Sequence, residues 1–411
     1  MLIKTSRKCV NSYIHLNEIK INRGNLAKVF FSICIYVLLW LVRAVNANAQ
    51  ADSLPAGSYC LIPDLVRQND KSVFIPSPSI TYSPETSLSL GVYAMYYFKM
   101  GLAGSCTHPS NVQFSTAYTL NNQFSAEPIW EVYTKDDNYF TTGRALYQIF
   151  PEQFFGIGNN TKLADAETYS HQLLRLTAKY QKRWYDRFFF GPMYQMQYMF
   201  NVKPGESGEL VKNNISGAKG YFASGLGVAA TWDSRDLILF PQRGLYIDLS
   251  NTFFSNIFGS RFNFQQYTLD ARKYFSFKKR RVLAFQGYAQ HNTGNPPFRM
   301  LAMMGNNQLM RGYYQGRFRE RDYIAGQAEY RFPVYKRFGL AAFAGLGQVA
   351  HNFSEMRLQG LQESTGKGFH PNYGLGLRYL YNKNENINIR VDFGFGPNGM
   401  NGQYVTVGEA F

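Results

Sequence analysis

The most chemically suggestive residues of the chain are Met310-Arg311-Gly312-Tyr313, which lie in a basic stretch that does not alternate. Two asparagines just before them interrupt any strand, and Gly312 permits backbone angles that other residues avoid. A buried guanidinium needs planar acceptors, and paired carboxylates supply them through bidentate hydrogen bonds. The stretch is therefore a long polar loop or a turn that carries charge, and Arg311 would need carboxylate partners if it were buried.

Residue sets that catalyse reactions or bind metals are scarce in the chain. Its six histidines are scattered, and none pairs with another histidine or a cysteine at the spacing of a metal site. No G-x-S-x-G nucleophile motif occurs. His291 and His351 lie near predicted strand ends, where a place in a loop or an aromatic girdle is ordinary. The sequence therefore predicts no enzyme, no catalytic residue, no metal site and no cofactor.

The elements that must position these residues are short alternating segments, which run from Phe74 to the last residue. Apolar residues at every second position of Ile387–Phe395 alternate with polar residues or glycine, as in a strand with one apolar face. A soluble sandwich also alternates, but aromatic residues on the apolar face of segment after segment favour lipid. About sixteen segments occur, from Ser79–Tyr82 to Gln403–Phe411. The sequence predicts an all-β, transmembrane, antiparallel β-barrel.

Composition agrees with a membrane barrel and argues against nucleic-acid binding. Aromatic residues make up 17% of the chain, with 30 Tyr and 34 Phe, and such residues are enriched in strands and in membrane-interface girdles. The formal charge is +16, of which residues 1–49 contribute +6 through seven basic residues and one acidic residue, leaving +10. These charges are dispersed along the chain, so no nucleic-acid partner is predicted.

The first 49 residues have the features of a secretory signal peptide. A basic region precedes the apolar run Val29–Val42, and Ala47-Asn48-Ala49 supplies small residues for cleavage. A single membrane anchor is the alternative, but the run is shorter than the roughly 20 residues that cross a bilayer. Residues 50–76 then form a short polar leader, and residues 77–411 form the barrel.

Two of the four cysteines fall in the predicted signal peptide, which leaves Cys60 and Cys106. An oxidising periplasm would allow a disulfide between them. Two free thiols are the alternative.

A second motif joins two predicted strands: Asp233-Ser234-Arg235-Asp236, followed by Phe240-Pro241-Gln242-Arg243-Gly244. Proline fixes the start of such a turn and glycine supplies its positive φ. Together with the Arg-Gly-Tyr stretch three predicted strands later, it resembles the BamA/TamA-type superfamily of outer-membrane assembly barrels, over residues 75–411. In that family the first motif is a periplasmic turn, and the Arg-Gly-aromatic loop folds back into the barrel lumen. The turn residues here are Asp233, Arg235, Asp236, Pro241, Arg243 and Gly244.

The resemblance implies acceptors for Arg311. Glu329 lies where the family has an inward strand carboxylate, whereas Gly345 replaces the aspartate that the family usually adds on the next strand. Asp270 and Asp392 face inward on their own strands and are candidate substitutes. The alternative is that all of these are ordinary lumen charges. Phe411 resembles the terminal aromatic residue of the outer-membrane assembly signal, although Glu409 interrupts the apolar alternation before it.

The resemblance also implies a place and a role. The expected place is the bacterial outer membrane, in contact with its lipid and lipopolysaccharide. The expected role is to assist insertion or translocation of outer-membrane or surface proteins through a weak seam between the first and last strands. Family members usually carry periplasmic POTRA modules, for which the leader leaves no room, so a separate assembly or periplasmic protein is expected. The alternative is a passive or gated pore, or a structural subunit of an outer-membrane complex.

Overall fold

Sixteen strands form one antiparallel sheet in which each strand is hydrogen-bonded to the next along the chain, and the last strand lies beside the first. The computed structural model describes residues 72–83, 87–100, 107–120, 122–205, 208–278, 280–356, 368–382 and 387–411. The predicted sixteen-stranded barrel is confirmed. The predicted signal peptide, the leader up to residue 71, Cys60 and Cys106 lie outside the described residues.

Most strands are long enough to cross a bilayer when tilted. The barrel strands are β1 (Val73–Ser83), β2 (Ser87–Lys99), β3 (Pro109–Thr119), β4 (Phe124–Tyr133), β5 (Tyr139–Phe154), β6 (Glu167–Tyr185), β7 (Phe188–Lys203), β8 (Tyr221–Asp233), β9 (Gly244–Phe254), β10 (Phe264–Lys278), β11 (Arg281–Gly294), β14 (Asp322–Tyr335), β15 (Phe338–Ala350), β16 (His370–Asn382), β17 (Ile387–Phe395) and β18 (Asn401–Val407). Two short strands, β12 (Ala302–Met303) and β13 (Arg319–Glu320), pair within the loop that joins β11 to β14.

Helical structure in the described ranges is confined to single turns. These are Lys135–Asp137, Leu163–Asp165, Glu209–Lys212, Asn256–Phe258 and Phe353–Glu355. None of the helices in this part of the chain has the length and apolar character that a membrane-crossing helix requires.

Two predicted strand limits are wrong. The first strand begins at Val73 rather than Ser79, so it overlaps the predicted leader, and it contains Pro76 and Pro78. Proline is tolerated in an edge strand, which is why these residues did not end it. The last strand ends at Val407 rather than Phe411, because Gly408, with φ +95°, turns the chain away from the sheet.

The two faces of the sheet differ in the way that a barrel in lipid requires. Along β16, Tyr373, Leu375 and Leu377 face outward and are 60%, 64% and 52% exposed. Asn372 and Arg378 face inward on the same strand and are buried. The apolar alternation seen in the sequence therefore marks the outer surface, and the polar residues fill the lumen.

Both ends of the lumen are filled by connections between strands. At the loop end, which bears the connections β5–β6, β7–β8 and β11–β14, an apolar cluster packs side chains of the barrel wall against Leu210 and Phe298 of two of these connections. At the opposite end, the turn end, residues 237–240 of the β8–β9 connection pack against Ile75, Met95 and Ile387. The lumen is thus bounded from both sides by this chain's own segments.

An ion pair outside the strands fastens two connections at the turn end. His108, just before β3, lies 2.6 Å through Nδ1 from Oδ2 of Asp137, which also accepts a hydrogen bond of 2.8 Å from the His108 main-chain N–H. Both side chains are buried. Burial lowers the pKa of His108, but the charge of Asp137 and its hydrogen bond outweigh burial and raise the pKa above its usual value. Asp233 adds to this effect and Arg235 opposes it.

This pair predicts a pH dependence of stability. A histidine whose pKa is raised by folding stabilises the fold below its unfolded pKa of about 6.5, and the contribution is lost as the pH rises through the folded pKa. The thermal unfolding midpoint of the native barrel should therefore fall more between roughly pH 6 and pH 9 than that of His108→Gln. Equal pH dependence in the two proteins would contradict the assignment.

Candidate functional site

The site is built on the loop that joins β11 to β14, residues 295–321, called here the lumen loop. Positive φ values at Met310 (54°) and Gly312 (105°) reverse the chain on either side of Arg311. Met310 and Tyr313 pack in an apolar cluster with Tyr323 and with Val349 of the barrel wall. This packing holds the loop inside the barrel, as the resemblance implied, and places Arg311 against strands β14 to β17 of the same wall.

Arg311 lies fully buried between two carboxylates of the wall. Its Nη2 is 2.6 Å from Oε2 of Glu329 on β14, and its Nη1 is 2.6 Å from Oδ2 of Asp392 on β17. The guanidinium also lies over the Phe343 ring, with its carbon 3.5 Å from the ring centre. The side chain of Asn372 donates to the main-chain oxygen of Arg311 at 2.9 Å. Every one of these contacts joins the loop to a different strand.

Further charged groups surround this pair and complete what we call the arginine cluster. Its members are Arg311, Arg331, Arg378, Arg390, Glu329, Asp392 and Glu409. Arg378 is the central bridge, because it reaches Asp392 at 2.6 Å, Glu329 at 3.1 Å and Glu409 at 2.7 Å. Breaking a buried ion pair by removing one of its partners typically costs about 3–5 kcal/mol.

Asp270, the other predicted substitute, is not part of the arginine cluster. It pairs with Arg272 on its own strand and accepts a hydrogen bond of 2.9 Å from Gln286. A Cβ at Gly345 would lie 2.6 Å from Oδ1 of Asn372, so a side chain at this position would require the Asn372 side chain to move. Asp392 of β17 supplies the second carboxylate instead.

Glycine at position 312 is required by a close approach of two backbones. A Cβ on Gly312 would lie 2.8 Å from the carbonyl carbon of Gly394 and from the main-chain nitrogen of Phe395, both on β17. The N–H of Gly312 donates to the hydroxyl of Tyr404 on β18 at 3.0 Å. Tyr313 donates from its hydroxyl to the main-chain oxygen of Pro371 at 2.7 Å. The loop is thus fastened to the last three strands of the barrel.

The turn between β8 and β9 is ordered by its own motif residues. Arg235 pairs with Asp233 at 2.6 Å and with Glu131 at 2.9 Å. Oδ1 of Asp236 accepts main-chain hydrogen bonds from Leu237, Gln242 and Arg243. Gly244 has φ +115°, a conformation that side chains rarely allow.

Two further predicted residues meet the arginine cluster at Arg331. Its Nη1 donates to the main-chain oxygen of Pro241 at 3.5 Å, and its Nη2 to that of Phe411 at 2.8 Å. The Phe411 ring is buried against Tyr274 and Val282. The lumen loop, the β8–β9 turn and the last residues, which are far apart in sequence, therefore meet inside one lumen.

A family model of the Omp85 superfamily domain matches residues 92–408. The chain belongs to the Omp85 superfamily. It is a bacterial outer-membrane β-barrel protein, and the resemblance drawn from the two motifs is confirmed.

Solved structures share the fold of this Omp85 barrel at low sequence identity. BamA from Haemophilus ducreyi lacking POTRA domains 1–3 is 12% identical with a TM-score of 0.52, over 83% of this chain and 70% of that one. CdiB from Escherichia coli is 9% identical with a TM-score of 0.52, over 82% of this chain and 62% of that one. This chain thus spans less than two thirds of the length of CdiB. No curated protein matches in sequence.

Several residues of the site escaped the sequence analysis of this Omp85 chain. Arg378, Arg390 and Tyr404 lie on the polar faces of predicted strands, where nothing local distinguishes a cluster member from any other lumen residue. Glu409 gave a signal, because it interrupted the apolar alternation before Phe411. Its carboxylate lies in the arginine cluster, which accounts for the interruption.

Replacement of Arg311 by lysine should destabilise the barrel. A lysine ammonium cannot hold Glu329 and Asp392 together as the planar guanidinium does, so at least one of the two buried contacts of 2.6 Å is lost. We expect Arg311→Lys to lower the free energy of unfolding by about 3 kcal/mol. The exposed Arg281 of β11 provides the control, and Arg281→Lys should leave stability unchanged. Similar unfolding midpoints for the two variants would argue against a buried ion-paired role.

Two glycine substitutions separate backbone strain from crowding. Gly399 has φ +75° and an added Cβ would meet nothing within 4 Å, so Gly399→Ala should cost only about 1 kcal/mol. Gly312→Ala combines similar backbone strain with a clash against the backbone of β17. We expect trypsin to cleave the lumen loop much faster in Gly312→Ala than in Gly399→Ala. Equal cleavage would show that the close approach to β17 does not hold the loop.

Proposed function

We propose that this barrel assists insertion or translocation of outer-membrane or surface proteins by opening between β1 and β18. A separate assembly or periplasmic protein would deliver the client, and outer-membrane lipid and lipopolysaccharide would surround the barrel. The turn end would face the periplasm. The observation that carries the proposal is the seam between these two strands.

The seam lacks the pairing found between every other pair of neighbouring strands. Each barrel strand pairs with the next in an antiparallel ladder, whereas no ladder joins β18 to β1 within the described residues. β18 itself pairs with β17 over only seven residues, Asn401–Val407. Edges with unpaired N–H and C=O groups are templates for pairing with another strand. A client strand could therefore add at this place.

Pro76 and Pro78 give a physical reason for the unpaired edge. β1 pairs with β2 along its whole length, and proline has no N–H to donate to a ladder. In an antiparallel strand the N–H groups of alternate residues point to the same edge. Both prolines therefore take positions directed away from β2, towards β18. The seam edge of β1 lacks two donors as a result.

The lumen loop contacts β18 beside this seam. Tyr404 accepts from the N–H of Gly312, and Arg390 of the arginine cluster donates to the Thr406 hydroxyl at 2.6 Å. These contacts hold β18 from the inside while its outer edge has no ladder. The arginine cluster would thus set the position of the movable strand.

The experiment that tests the role is a pull-down of the tagged full-length barrel from native outer membranes in mild detergent, with partners identified by mass spectrometry. Recovery of assembly factors or periplasmic chaperones would support a role in insertion or export. Recovery of the barrel alone, with steady ion conductance in planar bilayers, would contradict it and favour a pore.

Restoring the two missing donors should close the seam. In the double variant Pro76→Thr with Pro78→Thr, β1 can donate two more hydrogen bonds to β18. We expect slower amide hydrogen exchange in residues 401–407 and less client insertion in proteoliposomes. Ser77→Thr is the matched control, because the N–H of residue 77 points to β2, and it should change neither quantity. Full client insertion by a double variant with slowed exchange would rule out opening at this seam.

A further inference from the structure

A polar cavity lies between the lumen loop and the barrel wall, where strands β4 to β7, β10, β11 and β18 contribute to its lining. It consists of chambers of about 530 Å³ and 280 Å³. The chambers meet, since both are lined by Arg144, Arg175, Arg299, Met303, Asn306 and Gln315. None of these residues belongs to the arginine cluster, so the cavity is a separate feature.

Two of the three arginines in this cavity are neutralised by carboxylates. Arg144 donates from Nε to Oε1 of Glu127 at 3.0 Å. Arg299 pairs with Glu152. The remaining charge of the lining is therefore set by Arg175.

Arg175 has no carboxylate within ion-pair distance in the described part of the chain. Its Nε donates to Oε1 of Gln197 at 2.9 Å, and Gln197 is itself hydrogen-bonded to the Tyr221 hydroxyl. This contact holds the guanidinium through its Nε, and the Arg175 side chain lines both chambers. The smaller chamber is lined by all three arginines and, among the described residues, by no carboxylate.

A partly buried cation without a paired carboxylate is stabilised when an anion joins it. We propose that the cavity binds a phosphate group, with Arg175 as its principal ligand and Arg144 beside it. The planar fork of a guanidinium matches two phosphate oxygens. The site does not depend on the proposed role in protein insertion.

The rest of the lining indicates which molecules could carry the phosphate. Amide and phenol groups line the smaller chamber, namely Gln195, Gln197, Gln266, Gln290, Asn306, Gln315 and Tyr288. Such groups both donate to and accept from hydroxyl groups. Free phosphate and a phosphorylated sugar share the chemistry that Arg175 recognises, and only the sugar would use these additional groups.

Calorimetric titration of the full barrel in detergent, at fixed ionic strength, tests the site with three probes. Inorganic phosphate and glucose 6-phosphate should both bind, and glucose should not. Tighter binding of glucose 6-phosphate would identify a phosphorylated sugar as the ligand, and equal affinities would identify free phosphate. Absence of binding by both phosphates, or equal binding of glucose, would overturn the proposal.

Three variants test whether phosphate binding depends on the charges of Arg175 and Arg144. Arg175→Gln should weaken phosphate binding by at least about tenfold, the size expected for loss of a charge-assisted pair. Glu127→Gln should strengthen it, because Arg144 loses its carboxylate. Arg281→Gln, a change on the outside of the barrel, should have no effect. Should Arg175→Gln fail to fold, unchanged affinity in Glu127→Gln would by itself overturn the proposal.

Discussion

The rest of the structure depends on the burial of the Arg311 guanidinium between two strand carboxylates. Its contacts to Glu329 and Asp392 are 2.6 Å each, and both carboxylates are fully buried. Because a buried charge without a partner is so unfavourable, the loop cannot leave the wall without breaking several strong contacts at once. The loop position, the close approach of Gly312 to β17 and the contact with Tyr404 all follow from it.

The arginine cluster inside the lumen lies close to β18 and the seam. Arg331 and Arg378 extend the arginine cluster towards the turn end, where they meet Pro241, Glu409 and Phe411. These contacts reach the segment that follows β18, while the opposite edge of β18 has no ladder to β1 in the described residues. These inner contacts would hold the barrel while β18 moves at the seam, as the proposed function requires.

Much of the fold was predictable because period-two alternation directly reports which face meets lipid, as in Ile387–Phe395. Strand ends were less predictable. Pro76 is tolerated because of its edge position and Gly408 ends a strand through its backbone angle, and hydropathy reports neither. Arg311 and Glu329 could be singled out through a motif. That Asp392 rather than Asp270 pairs with Arg311 could not be predicted, because it depends on which strands lie beside the loop in the lumen. Arg378 was missed for the same reason.

Arg311 is held by direct pairing with the wall carboxylates. A double-mutant cycle of Arg311→Gln and Glu329→Gln, read by equilibrium unfolding of the full barrel, tests it most directly. Each single change removes the same direct contact between Arg311 and Glu329, so the double variant should be more stable than the two losses predict. We expect a coupling energy of about 2 kcal/mol. Losses that add to within about 0.5 kcal/mol would contradict the account.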